Sequence, residues 1–175
     1  MDPKVVTTIL NLLDAKYGQE IVAGKRAPLT ITRGKVHDYL GILLDYSEPG
    51  YVKLDMTAYL KKVLDETRED MDGTATSPAA EHLFQIVDGI PLLDDATSEF
   101  FHATVAKLLF LCKRRGRPDI QTAIAFLCTR VQHPTKHDYN KLSRVIKYLR
   151  NTKELVLRLS AENLNIIKWW TDASY

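Results

Sequence analysis

Cysteine is scarce in this 175-residue chain: Cys112 and Cys128 both lie inside apolar runs, with no C-x-x-C partner. That excludes a disulfide scaffold or a zinc ribbon and reads as two buried free thiols. No run approaches the roughly 18–20 apolar residues that a membrane span requires. The opening Met1-Asp2-Pro3-Lys4 lacks the apolar centre of a signal peptide. The expected location is therefore intracellular, cytoplasmic or nuclear, with no membrane partner. A P-loop and a G-x-S-x-G elbow are both missing, which removes two common enzyme classes. Eight glycines and seven prolines form no low-complexity tract, and there is no internal repeat. What is present is a globular composition, 45% hydrophobic and 26% charged. A chain of this length buries roughly 70% of its unfolded surface, as one domain or two small ones.

The net charge of +2 conceals an asymmetry. Residues 107–150 carry eleven Lys or Arg against only Asp119 and Asp138, so that block is 11 − 2 = +9 and the remainder is 2 − 9 = −7. A basic block in an otherwise acidic chain suggests a polyanionic partner, although a solvated helix surface has the same composition.

Asp2 as N-cap and Pro3 at the first helical position predict an amphipathic packing helix carrying Val6, Ile9, Leu10, Leu13 and Tyr17, stopped by Gly18. Residues 29–33 and 36–46 read as strands separated by Gly34-Lys35, and a third strand, 51–55, follows Pro49-Gly50; together they predict a small antiparallel sheet. Met56, Tyr59, Leu60, Val63 and Leu64 mark a helix to about Glu69, followed by a weakly patterned loop and a tether to Asp95. Three helices follow. Their apolar faces are Phe101, Val105, Leu108, Leu109 and Cys112; Ile120, Ile124, Leu127, Cys128 and Val131 after Pro118; and Tyr139, Leu142, Val145, Ile146 and Leu149 after Pro134. Alternation over residues 155–160 and a polar turn at Glu162-Asn163 predict a closing hairpin with residues 166–171. The fold class is α+β. The expected segments are 1–55, 56–95, 96–152 and 153–175.

Lys113, Arg114, Arg115 and Arg117 crowd one helix junction. One or two cations there cap a helix C-terminus, but four within five residues repel one another unless a polyanion is close. Lys141, Arg144, Lys147 and Arg150 recur every three residues and so drift around a 3.6-residue helix into a broad face, suited to following a backbone independently of sequence. His133 and His137 have ligand-like spacing, but Pro134 interrupts the turn between them, and with His102 they find no carboxylate or thiolate at ligand spacing. Asp94-Asp95 reads as a solvated turn. Asp172 ends an apolar strand in Trp169-Trp170-Thr171-Asp172, where a carboxylate suits Mg²⁺, but it has no second carboxylate near it.

Four runs together resemble the reverse transcriptase of Ty1/copia-type retrotransposons: residues 29–44 (LTITRGKVHDYLGILL), 101–131, 142–152 (LSRVIKYLRNT) and 168–175 (KWWTDASY). The Arg-Pro-Asp-Ile element at 117–120, followed by Lys147 to Thr152, is specific in combination. The resemblance implies that Tyr39, Leu40 and Gly41 form a primer grip, a hairpin holding the primer 3′ end; a glycine in a strand permits such close approach. It implies that residues 55–151 are the thumb and connection cradling template–primer duplex. The cations Lys107, Lys113, Arg114, Arg115, Arg117, Arg130, Lys141, Arg144, Lys147 and Arg150 fall there. It also implies that Asp172 is the first metal-binding aspartate of a ribonuclease H domain, in a site left incomplete.

The family's Tyr-x-Asp-Asp polymerase motif does not occur in these 175 residues, and the Lys113–Arg117 run is one residue longer than the family pattern. The expectation is therefore a polyprotein fragment that grips an RNA–DNA hybrid or DNA duplex without regard to sequence and is inactive alone. It would need no cofactor itself, whereas the intact enzyme would use Mg²⁺; the remainder of the polyprotein would be its other partner. The alternative is a non-catalytic remnant that binds protein or self-associates through exposed apolar surface.

Overall fold

The computed structural model describes residues 2–18, 21–22, 24–26, 29–114 and 116–160. The chain forms two compact units, Met1–Gly34 and Lys35–Tyr175.

In the first unit, α1 (Pro3–Tyr17) begins where Asp2 accepts a hydrogen bond from the Lys4 amide at 2.9 Å, with Pro3 supplying a preset φ. It stops at Gly18, whose amide returns to the Asp14 carbonyl. α1 buries none of its side chains, so the expected packing helix presents Val5, Ile9, Leu12, Leu13 and Tyr17 as exposed apolar groups. A two-stranded ladder, β1 (Ile21–Val22) with β2 (Lys25–Arg26), follows. The strand expected over residues 29–33 does not form. Side chains of α1 engage this stretch instead: Asp14 accepts from the Leu29 amide at 2.8 Å, and Arg33 donates to the Thr7 hydroxyl at 3.1 Å.

The second unit is built on a four-stranded antiparallel sheet, ordered β3 (Val36–Tyr39), β4 (Ile42–Asp45), β5 (Tyr51–Asp55), β6 (Leu157–Ser160). The single strand expected over 36–46 is in fact a hairpin. Tyr39 pairs with Ile42, and Leu40 and Gly41 between them have φ of +52° and +80°. Two left-handed residues in a two-residue loop give the primed turn that matches strand twist. β6 supplies the last strand from a hundred residues downstream, pairing Leu157 with Leu54 and Ser160 with Tyr51. The other half of the expected closing hairpin lies outside the described residues. Pleating puts Ile42, Leu44, Leu54 and Leu157 on one face and Leu43, Asp45, Lys53 and Arg158 on the other. Ile42 joins the core, and Leu44 and Leu54 pack against it.

The helices are α2 (Thr57–Asp65), α3 (Asp95–Lys113), α4 (Gln121–Cys128) and α5 (Lys136–Asn151). Their expected faces meet: Leu60, Phe101, Leu108, Ile120, Ile124, Leu127, Leu142, Ile146 and Leu149 are at most 2% exposed. Burying each such side chain contributes roughly 1.5–3 kcal/mol. The stretch expected as loop and tether is anchored rather than loose, because Met71 in a short 3₁₀ turn (Glu69–Met71) is fully buried and Leu83 joins the same core. No helix among the described residues is long and apolar enough to cross a membrane.

Candidate nucleic-acid interface

The hairpin tip carries the first group of candidate residues. Register fixes Tyr39 and Ile42 as the last ladder pair, which leaves Leu40 and Gly41 to make the turn; Asp38 accepts from the Gly41 amide at 3.2 Å. Tyr39 and Leu40 are 59% and 57% exposed. A leucine held in the left-handed region, with its side chain in solvent, is locally unfavourable by about 1 kcal/mol.

At the junction of α3 and α4 the four crowded cations separate. Lys113 is exposed, Arg114 lies over the Phe110 ring at 5.3 Å, and Arg115 is outside the described residues. Arg117 is buried. Its Nε and Nη2 donate to the Asp119 carboxylate at 3.0 and 2.7 Å, while Nη1 and Nη2 donate to the Thr152 carbonyl and hydroxyl at 2.9 and 2.6 Å. Tyr148 donates to the same Asp119 at 2.8 Å and has the guanidinium over its ring at 5.5 Å. Four of its five N–H donors are thus taken within the fold, and at 3% exposure the side chain is turned away from solvent. The Arg-Pro-Asp-Ile and Lys147–Thr152 runs are two halves of one network, centred on the buried Arg117, that ties the start of α4 to the end of α5. Burial alone would raise the Asp119 carboxyl, but the bonds from Arg117 and Tyr148 outweigh it and hold it below the usual range.

On α5 the three-residue spacing of cations does wrap the helix, and most of it is covered by the 67–85 segment. Lys141 is buried and donates to the Gln85 carbonyl at 2.6 Å; Arg144 donates to the Ser77 hydroxyl at 2.9 Å; Arg150 donates to Thr67 and pairs with Asp72 at 3.1 Å. Asn151 adds a bond to the Ala75 carbonyl and Tyr139 one to Asp70. Burial, reinforced by Asp70, pushes the Tyr139 hydroxyl up to about 12, so it stays a donor at neutral pH. Arg130 pairs with Asp138 at 3.4 Å, and Lys107 pairs with Glu66. Lys147 has no hydrogen-bonding or ion-pair partner among the described residues, and Lys136 lies over the Tyr139 ring at 4.5 Å.

The broad track of cations thus divides into those that hold the fold and those left without a carboxylate: Lys113, Arg114, Lys136, Arg144 and Lys147. Sequence reasoning passed over Lys136, whose only signal was membership of the basic block, and Tyr148 and Thr152, which lay inside a quoted run with no role attached. Cys112 and Cys128 are free thiols; burial pushes Cys112 up to about 12, which makes it unreactive. Asp172 lies outside the described residues. Among the described residues no three His, Cys, Asp or Glu side chains come together to hold a metal ion.

A Ty5-1 transposon protein of Saccharomyces cerevisiae is 27% identical over 144 residues, which cover 81% of this chain and 45% of that protein. An uncharacterized mitochondrial protein of Arabidopsis thaliana is 29% identical over 119 residues, covering 68% of this chain and 47% of that protein. The matched region thus spans about half the length of each of these relatives. No protein-family model matches the chain, and no solved structure matches it.

Proposed function

From a chain of retrotransposon origin, we infer a segment of an RNA-directed DNA polymerase that positions and grips template–primer duplex and performs no chemistry itself. The observation that carries this reading is the set of cations in residues 107–150 with no carboxylate partner. Structural needs of the fold account for Arg117, Lys141, Arg130 and Arg150, whereas Lys113, Arg114 and Lys147 serve no ion pair. Point charges of this kind supply sequence-independent contact to phosphates. The exposed tip Tyr39-Leu40-Gly41 offers an apolar surface against a primer terminus, with Gly41 permitting close backbone approach. Positioning of this sort lowers a barrier by holding reactants aligned, and the metal chemistry belongs to carboxylates of a larger enzyme.

Fluorescence anisotropy with a labelled RNA–DNA hybrid and a DNA duplex of equal length, titrated across salt, tests the reading. Affinity should fall steeply with salt, and a Lys113→Ala, Arg114→Ala, Lys147→Ala variant should lose most of it while remaining folded. A folded wild-type chain that binds neither duplex at low salt would sink the proposal.

A second reading, a retroelement remnant that binds protein or itself, is favoured by one observation. Phe84, Ile86, Val87 and Leu92 are 44–64% exposed within nine residues, with only Phe84 finding a ring neighbour, Phe126. Sedimentation showing self-association without any duplex affinity would select it.

A further inference from the structure

Beside α5 the 70–75 stretch leaves a cavity of about 450 Å³ whose walls include Lys136, Arg144, Lys147, Asp70, Ser143 and Asn140. We propose that this cavity is a binding site for a phosphate monoester. Three cations against one carboxylate give the walls a formal charge of 3 − 1 = +2. A phosphate monoester carries about −1.5 to −2 at neutral pH, with a second pKa near 6, whereas a backbone diester carries one charge. The one carboxylate is already engaged, since both Asp70 oxygens accept from the Tyr139 hydroxyl at 2.9 Å. The cations are not: Lys147 has no hydrogen-bonding partner among the described residues, and Lys136 has only the face of the Tyr139 ring.

Arg144 uses one Nη on Ser77, and its Nε is buried with no hydrogen-bond partner. Ser77 takes one of the Nη N–H donors, so the guanidinium brings positive charge and further donors to the wall. Next to this wall Gly73 takes φ +106°, a path that favours glycine, and a Cβ added there would stand 3.8 Å from the Lys147 stem. Asn140 and Ser143, one helical turn apart, offer neutral hydrogen bonds that charge alone does not.

The ligand is either a free nucleotide-like monophosphate or the phosphorylated end of a strand; both present the same dianionic group. The inference does not depend on duplex binding and survives its failure. Inorganic phosphate titrated into the full chain should give saturable amide shifts at Asn140, Ser143 and Lys147. Lys147→Ala should weaken this by about tenfold, and Lys62→Ala, an exposed cation of α2 away from the cavity, should leave it unchanged. Lowering the pH from 7.5 to 5.5 should weaken binding as the phosphate gains its second proton. A nucleoside monophosphate that competes with phosphate identifies the free ligand as a source; competition by a 5′-phosphorylated oligonucleotide but not its 5′-hydroxyl counterpart identifies the strand end. Equal shifts with dimethyl phosphate, no saturation, or affinity unaffected by Lys147→Ala would each overturn the proposal.

Discussion

Arg117 illustrates how a residue expected at a ligand is used by the fold instead. Its side chain is 3% exposed and its partner carboxylate, Asp119, about one-third exposed. Removing one member of such a pair leaves the other desolvated and unmatched. Arg117→Ala should therefore cost roughly 2–4 kcal/mol, somewhat below the range for a fully buried pair because Asp119 keeps some water. Arg117→Lys should recover little, since one ammonium cannot serve Asp119 and both Thr152 oxygens in a fork. Urea unfolding of the three proteins measures this, and an Arg117→Ala protein as stable as wild type refutes the network. The sign with pH follows from the depressed Asp119 carboxyl. Its contribution is fully present above the ordinary carboxylate pKa and is lost as pH falls through the lower folded value. Without Arg117 the burial effect is no longer opposed by that pairing, so acid unfolding of Arg117→Ala should begin at higher pH.

The N-terminus of α5 is closed by a dense set of side-chain bonds. Thr135 and Asp138 form a reciprocal capping box: the Asp138 carboxylate accepts from the Thr135 amide and hydroxyl at 3.0 and 2.8 Å, and its amide donates back at 3.3 Å. The same carboxylate faces Arg130 at 3.4 Å and Lys141 at 4.0 Å. Thr135→Ala should then cost about 1 kcal/mol. Asp138→Ala should cost about 3 kcal/mol, because it also leaves the nearly buried Lys141 ammonium without its carboxylate. Equal thermal shifts for the two variants would show that the cap is all Asp138 does. α3, α4 and α5 were legible because each carries a 3.6-residue apolar period between clear punctuation, such as Pro118 and Pro134. The β3–β4 turn was not legible from composition, since Leu40 is not a residue associated with positive φ; only the family resemblance placed a hairpin at Tyr39–Gly41. Residues 29–33 have strand composition but form no strand, and pairing is a tertiary fact. The pairing of β6 with β5 spans a hundred residues and leaves no local mark.

Over the whole chain, the question is how much of the +9 block is available to a polyanion. The block's size and sign were plain in the sequence; which cations were spent was not, because Glu66, Asp72 and Gln85, the partners of Lys107, Arg150 and Lys141, lie far away in the chain. Of the eleven cations, Lys107, Arg117, Arg130, Lys141 and Arg150 are paired with carboxylates in the fold. Lys113, Arg114, Lys136, Arg144 and Lys147 are not, and Arg115 lies outside the described residues. Each phosphate neutralised contributes about −0.9 to the slope of log affinity against log salt on duplex DNA. If every cation of the block engaged DNA, the slope would approach about −10. With five or six available it should fall between about −4 and −6. A measured slope near −10 would mean that the internal ion pairs open on binding, exchanging Asp119, Asp138, Asp72 and Glu66 for phosphates. A slope within the lower range, unchanged by Lys107→Ala but reduced by about one unit for each of Lys113→Ala and Lys147→Ala, would mean that the fold has already divided its cations between holding itself together and holding a duplex.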